Sequence, residues 1–97
     1  MAGSEVFVIV EVQEVFDQQE LTAYQAAARQ QLLELGGVPI ARGDAVFEGE
    51  PPARSLLIQK WPSEAAFRAW QESAAYRPLL ERRKRAAKLR IAILPAI

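Results

Sequence analysis

The stretch "EVFVIVEV", residues 5–12, decides the fold because it is apolar on both of its sides. It is rich in β-branched residues and too short for a core helix, so it predicts a β-strand. Side chains alternate along a strand, which places Val6, Val8, Val10 and Val12 on one face and Phe7 and Ile9 on the other. A strand of this kind needs apolar cover on both faces of its sheet.

Capping and turn residues outside this stretch divide the chain into further strands and helices. Asp17 predicts an N-cap, and the helix after it is expected to end at Gly36-Gly37, where a residue without a Cβ can close the last turn. Ser63 predicts the N-cap of a second helix. A third helical piece is predicted from about Pro78 to Lys88, and further strands are predicted over 38–42, 54–61 and 89–97.

The resulting order, β-α-β-β-α-β, predicts an α+β fold of the ferredoxin-like kind: a four-stranded antiparallel sheet with its helices on one face. A chain of 97 residues is expected to form one domain over residues 1–97. Helices on one face would leave the other face open, although Leu56 and Ile58 oppose Leu57 and Trp61 and so make both faces apolar. An apolar open face marks an interface, and we therefore expect a sheet-to-sheet homodimer.

Composition excludes several classes of function. The chain has no Cys and no His, which removes disulfides, thiolate nucleophiles, imidazole bases and the usual zinc, copper and haem ligands. We therefore expect no metal and no cofactor. The N-terminal segment lacks a basic region before its short apolar run, and no segment approaches the length of a membrane span, so we expect a cytoplasmic protein without a membrane partner.

Charge is balanced over the whole chain, with 12 basic and 12 acidic residues, but residues 77–97 carry seven basic side chains and one acidic side chain. A basic segment could bind nucleic acid or an anionic ligand. The basic run contains no aromatic residue on which a base could stack. A solvated helix face is the favoured interpretation, and we expect no nucleic-acid partner.

Small motifs spread along the chain carry a family resemblance. They are Gly36-Gly37, Arg42-Gly43, Glu48-Gly49, Pro52 with Arg54, Trp61-Pro62-Ser63, Ala66, Trp70, Ser73, Tyr76, Leu79 and Arg83. Together they resemble the domain-of-unknown-function 1330 family of the dimeric α+β barrel superfamily, over roughly residues 6–94. The chain departs from the family pattern at Asp44, where members often have Gly, and at Trp61, where they often have Phe.

This resemblance implies a barrel made by two sheets that meet face to face, and it implies no established reaction. Relatives in the superfamily include cofactor-free monooxygenases of aromatic polyketides, muconolactone isomerases, haem-degrading enzymes and dye peroxidases. One fold supports many chemistries and selects none of them. The haem branch usually relies on a His ligand, so haem chemistry is not expected in a chain without His.

The aromatic residues supply the first candidate ligand contacts. Trp61 and Tyr76 lie at the ends of predicted elements, where they could line an aromatic pocket or belong to the core. Phe67 and Trp70 are three residues apart on one helix face, which favours core packing.

Charged and hydroxyl side chains supply the others. Arg42 precedes a Gly and could hold a carboxylate or an enolate, or it could form a salt bridge with a nearby acid; for Arg54 the salt bridge is favoured. Glu11 lies inside an apolar strand and would be a candidate general base if buried, although pairing with Arg90 or Lys60 is the favoured alternative. Tyr24 is a further candidate for proton transfer.

Three functions follow from these observations. The first is a dimeric barrel protein of uncharacterised activity that binds a small aromatic or anionic organic molecule in a cleft. The second is a cofactor-independent monooxygenase or isomerase acting on an aromatic or enolisable substrate, with Glu11 or Tyr24 in proton transfer. The third is a non-catalytic structural or interaction module. Convergence of Glu11, Arg42 and Gln59 in one concavity would argue against the third.

Overall fold

The structure is a computed structural model that describes residues 4–50 and 54–97. Within these residues the chain forms four strands and three helices. They are β1 (Val6–Val15), α1 (Gln18–Glu34), β2 (Val38–Gly43), β3 (Ser55–Trp61), α2 (Glu64–Gln71), α3 (Arg77–Ala86) and β4 (Ala87–Pro95). This order confirms the predicted fold class, with the last helical region divided into α2 and α3. Pro52, one of the residues that carry the family resemblance, lies outside the described residues.

The sheet has the strand order β2-β3-β1-β4, and every neighbouring pair is antiparallel. β1 is central, which explains why its sequence is apolar on both faces. Val6, Val8 and Val12 are buried beneath the helices, as the alternation predicted. Phe7 and Ile9 lie on the opposite, open face, where Ile9 pairs with Ile58 and with Ala92.

The end of β1, the end of α3 and the start of β4 differ from the prediction, and they differ for one reason. β1 continues past residue 12 to Val15, and its extension pairs with Ala87, so that β4 begins two residues earlier than the predicted residue 89. The backbone N–H groups of Phe16 and Asp17 both donate to the carbonyl of Ala86, at 2.8 and 3.0 Å. These tertiary hydrogen bonds end α3 at Ala86, where the helical pattern alone predicted about two more residues.

Helix α1 begins and ends where its capping residues predicted. The Asp17 carboxylate accepts from the backbone N–H of Glu20 at 3.1 Å, while the carboxylate of Glu20 lies 2.9 Å from the guanidinium of Arg82. At the other end Gly36 has a φ of +94°, and the N–H of Gly37 donates to the carbonyl of Leu32 at 2.8 Å. Glycine reaches this left-handed conformation without the steric penalty that a Cβ would impose.

The core lies between the helices and one face of the sheet, and Trp61 is its largest fully buried side chain. The Trp61 ring stacks on Trp70 with centroids 5.4 Å apart and meets Phe67 edge to face at 5.5 Å. The same indole lies so close to Gly37 that a Cβ on this glycine would come within 2.7 Å of two ring atoms. Gly37 therefore permits the end of α1 to approach β3.

Gly37→Ala should destabilise the chain by about 1–3 kcal/mol, because the added methyl group overlaps a rigid buried ring. Gly43→Ala is the matched control, since a Cβ there meets nothing within 4 Å. Urea unfolding of both variants measures the free energy of unfolding. Equal stabilities for the two variants would contradict the proposed packing of Trp61 against Gly37.

Candidate functional site

A cleft of about 470 Å³ lies between helix α1 and the sheet face that carries the core. Its walls are mostly apolar and come from all four strands, from α1 and from α2. The apolar side chains that line it include Val10, Val12, Leu21, Leu32, Leu57, Phe67, Trp70, Leu89 and Ile91. Cavities of this size and character are typical of small-molecule sites.

The charged residues that line the cleft are Arg29 and Arg42, and no Asp or Glu of the described chain lines it. Neither arginine forms an ion pair with a described residue. The cleft is therefore locally positive in a chain whose formal net charge is zero.

A β-bulge brings Arg42 to this cleft. In the pairing of β2 with β3, Pro39 lies opposite Gln59, but Ala41 lies opposite Ile58, so Ile40 is an extra residue. An inserted residue moves every later side chain to the other face of the sheet. Arg42 consequently pairs with Leu57, on the helix-covered face, where regular pairing would have placed it on the open face.

Gln59 supplies a hydrogen-bond donor to the cleft. Its side chain is buried, and its Oε1 accepts from the indole N–H of Trp61 at 2.9 Å. An indole nitrogen can only donate, so the amide oxygen must face Trp61 and the amide nitrogen must face away from it. Gln59 lines the cleft, and no residue of the described chain accepts from its Nε2 in the structure. This amide group is available to a ligand.

Tyr24 also lines the cleft, and its hydroxyl belongs to a chain of buried polar contacts. The Oη atoms of Tyr24 and Tyr76 lie 2.6 Å apart. Arg83 Nη1 donates to Tyr76 Oη at 2.8 Å and to Gln71 Oε1 at 3.2 Å. Burial, with the neighbouring Tyr76 as the next cause, raises the pKa of the Tyr24 phenol above its usual value. Tyr24 therefore stays a neutral phenol over the physiological pH range.

The structure brings two of the five predicted site residues, Tyr24 and Arg42, to the cleft. Trp61 and Tyr76 do not line it: both are 0% exposed and lie behind the wall. Their contacts reach the cleft indirectly, since Trp61 orients Gln59 and Tyr76 contacts Tyr24. Phe67 and Trp70, predicted as core, belong to the core and line the cleft as well.

Glu11 lies on the opposite face of the sheet. It pairs in register with Leu56 and Arg90, and its carboxylate is 3.9 Å from the guanidinium of Arg90. Its neighbours in β1, Val10 and Val12, are the ones that line the cleft. Of the polar residues Glu11, Arg42 and Gln59, the last two therefore line the same cleft, while Glu11 lies on the other face of the sheet.

The sequence pattern gave no role to two further residues. Arg29 lies one residue after Ala28 of the buried stripe of α1, and this spacing could have placed it at the edge of the stripe, beside the cleft. Arg83 belonged to a basic run predicted to be solvated, and only the tertiary structure reveals its contact with Tyr76.

Within residues 4–50 and 54–97 no cluster of His, Cys, Asp or Glu could hold a metal ion, and no helix is long and apolar enough to cross a membrane.

The stability of the chain should fall as the pH rises above about 10, because Tyr24 ionises there in the unfolded chain but not in the folded one. Below that pH the phenol is neutral in both states and contributes no pH dependence. Tyr24→Phe should make the fall with pH shallower, whatever it does to the stability at neutral pH. Urea unfolding at several pH values between about 9 and 11 measures both slopes. Equal slopes for the parent and the variant would contradict this assignment.

Comparison with known proteins agrees with this architecture. A protein of unknown function from Rhodopseudomonas palustris superposes with a TM-score of 0.81 at 18% identity, over 98% of this chain and 84% of that one. A dimeric ferredoxin-like protein of unknown function from Jannaschia sp. CCS1 superposes with a TM-score of 0.71 at 12% identity, over 95% and 99% of the two chains. SnoaB, a cofactor-independent oxygenase from Streptomyces nogalater, superposes with a TM-score of 0.67 at 12% identity, over 97% of this chain and 94% of that one.

These structural likenesses, all at low identity, show a shared fold. No curated protein matches the chain. The model of a family described as "Domain of unknown function (DUF1330)" matches residues 5–97, which is nearly the whole sequence. The chain therefore belongs to the DUF1330 family.

Proposed function

We propose that this protein binds a small organic anion with an aromatic or otherwise apolar body in the cleft between α1 and the sheet. The observation that carries the proposal is the composition of the lining. Two arginines without ion-pair partners lie beside an apolar floor, and no carboxylate of the described chain accompanies them. This arrangement attracts a ligand that is negative at one end and apolar elsewhere.

The polar groups of the cleft support an oxygen-bearing ligand. Arg42 offers a planar fork of N–H donors, which matches the geometry of a carboxylate. Gln59 Nε2 adds a donor within the wall. The attraction between a carboxylate or phenolate and these donors is stronger here than in water, because the surrounding apolar side chains lower the local dielectric constant.

The cleft also argues against a purely structural module. Arg42 reaches this face only through the bulge at Ile40, and Gln59 is a buried polar residue whose amide nitrogen has no partner in the described chain. A protein that needs only a packed core requires neither feature. Ligand binding offers these groups the partners that the chain itself does not supply.

A cofactor-independent oxygenase or isomerase is the second candidate, and Tyr24 is the observation that favours it. Tyr24 lines an apolar cleft, where its neutral O–H could donate a hydrogen bond to the oxygen of a bound enolate. SnoaB, which shares the fold, is a cofactor-independent oxygenase. Oxygen uptake with electron-rich phenols, compared between the parent and Tyr24→Phe, tests this candidate: uptake that is absent from the parent rules it out.

We further propose that the protein is a homodimer joined through the open faces of two sheets. Phe7, Ile9, Ile58 and Leu94 lie on this face by their strand pairing, and no described helix covers them. The Jannaschia protein of the same fold is dimeric.

A cytoplasmic location, and the absence of nucleic-acid and membrane partners, remain predictions from the sequence.

Arg42→Ala should weaken the binding of an aromatic carboxylate by roughly 1.5–3 kcal/mol, the usual contribution of a hydrogen bond to a charged group. Arg77→Ala is the matched control, because Arg77 is exposed at the start of α3 and does not line the cleft. A thermal-shift screen of aromatic acids and phenols identifies the probe, since a ligand that binds only the folded state raises its stability. Calorimetry at constant ionic strength then measures each affinity. Equal losses in both variants would indicate diffuse attraction instead of a site.

Light scattering at micromolar concentration should give the mass of a dimer. A specific interface of the usual size would bury roughly 800 Å² of each subunit. Ile9→Lys should yield monomers or unfolded protein, because it places an unpaired charge in that interface. Leu33→Lys is the control: Leu33 is a 48% exposed apolar residue on α1. A monomer mass for the parent chain would overturn the proposed dimer.

A further inference from the structure

The hydroxyl of Tyr76 is enclosed by protein and has two polar neighbours. Tyr76 is 0% exposed, Arg83 Nη1 lies 2.8 Å from its Oη, and Tyr24 Oη lies 2.6 Å from it on the other side. A guanidinium can only donate hydrogen bonds, so Tyr76 must accept from Arg83. The direction of the contact between the two tyrosines then depends on where the proton of Tyr76 goes.

Tyr24 is the one acceptor that the described residues offer to this proton. Were Tyr24 the donor instead, the O–H of Tyr76 would be buried without an acceptor, which is costly and rare in folded proteins. The favoured arrangement runs in one direction, from Arg83 to Tyr76 and from Tyr76 to Tyr24. Each donor in such a chain polarises the next and strengthens its hydrogen bond.

The proton of Tyr24 must then lie elsewhere. Tyr24 lines the cleft, and no described residue accepts a hydrogen bond from its hydroxyl apart from Tyr76, whose own proton occupies that contact. The cleft is the open space that Tyr24 lines, so the contents of the cleft can supply an acceptor for this proton. Tyr24 thus joins Gln59 Nε2 and Arg42 as a third donor, so that the polar groups available to a ligand in this cleft include several donors and no carboxylate.

We infer that Arg83 is a positioning residue that acts through Tyr76 to hold the Tyr24 hydroxyl as a hydrogen-bond donor to a phenolate or enolate oxygen of the ligand. The inference rests on the proposed function and narrows its ligand class. A ligand oxygen of this kind carries negative charge and accepts hydrogen bonds without donating any, which matches the donors of Tyr24, Gln59 and Arg42. An amine at the same place would set one hydrogen-bond donor against another, because the O–H of Tyr24 needs an acceptor.

The probe for this inference is 4-nitrophenolate, an aromatic anion whose absorption band reports on hydrogen bonds to its oxygen. Loss of a donor to that oxygen moves the band to longer wavelength. Measurements at a pH of about 8 keep tyrosine neutral, because its usual pKa is about 10. The variants are Tyr24→Phe, Arg83→Gln and Arg83→Lys, with Arg77→Gln as the exposed control.

Tyr24→Phe should weaken probe binding about tenfold and move the band of the bound probe to longer wavelength, because a charge-assisted hydrogen bond is lost. Arg83→Gln should move the band in the same direction by a smaller amount. Arg83→Lys, which keeps a cationic donor near Tyr76, should recover most of that shift, and Arg77→Gln should leave the band unchanged. A purely structural role of Arg83 would alter unfolding without altering the spectrum of the bound probe.

Two results separate this inference from the proposed function. If Arg42→Ala weakens probe binding while Arg83→Gln leaves the band of the bound probe where it was, the anion site stands and the role of Arg83 is overturned. If the parent chain binds neither 4-nitrophenolate nor any aromatic carboxylate, the proposed function fails, and the contact between the two tyrosines is then tested without a ligand.

Unfolding in urea provides that ligand-free comparison. In the inferred direction, Tyr24→Phe leaves the buried O–H of Tyr76 without its acceptor, so adding Tyr76→Phe should restore part of the lost urea midpoint. Such a recovery would mean that the effects of the two substitutions on stability are not additive, as is expected for residues in contact. Further destabilisation in the double variant, by as much as Tyr76→Phe causes alone, would show that the two hydroxyls do not interact and would overturn the contact on which the inference rests.

Discussion

The indole ring of Trp61 lies against the backbone of Gly37 without any solvent exposure, and this contact ties the end of α1 to β3. The ring also stacks on Trp70, which seats α2 on the same sheet face. Its N–H holds the Oε1 of Gln59 and so directs the Gln59 amide nitrogen away from the ring. One buried side chain therefore positions two helices and one of the polar groups of the cleft.

The cleft depends on this arrangement because it lies beside the aromatic core and shares residues with it. Phe67 and Trp70 fill the core on one side and line the cleft on the other. Aromatic rings that pack edge to face and stacked have little freedom to move into the open space. The cleft can therefore stay open next to a well-packed core, while Arg42 and Tyr24 add polar groups at separate points of its lining.

The fold could be predicted from the sequence because its signals are local. Alternation in β1, the Asp17 and Ser63 caps and the glycines after α1 each act within a few residues, and the structure reproduces all of them. The boundary between α3 and β4 could not be predicted, since it is set by hydrogen bonds from Phe16 and Asp17 to Ala86, distant in sequence.

The candidate site was less predictable for a similar reason. The sequence indicates Arg42 through its neighbouring Gly43, whereas the feature that places it in the cleft is a bulge at Ile40, which the sequence does not mark. Glu11 and Val10 are adjacent in sequence and lie on opposite faces of the sheet, so the assignment of either one to the cleft depends on knowing which face the helices cover. The contact between Arg83 and Tyr76 joins side chains of neighbouring elements, and composition alone described Arg83 as part of a solvated run.

A crystal structure of the protein with a bound aromatic carboxylate tests the central claim most directly. The account predicts the aromatic ring between α1 and the sheet, with the carboxylate within hydrogen-bonding distance of Arg42 and the Gln59 amide nitrogen facing the ligand. A ligand bound on the open sheet face, or a cleft closed by its own side chains while the ligand lies elsewhere, would contradict it.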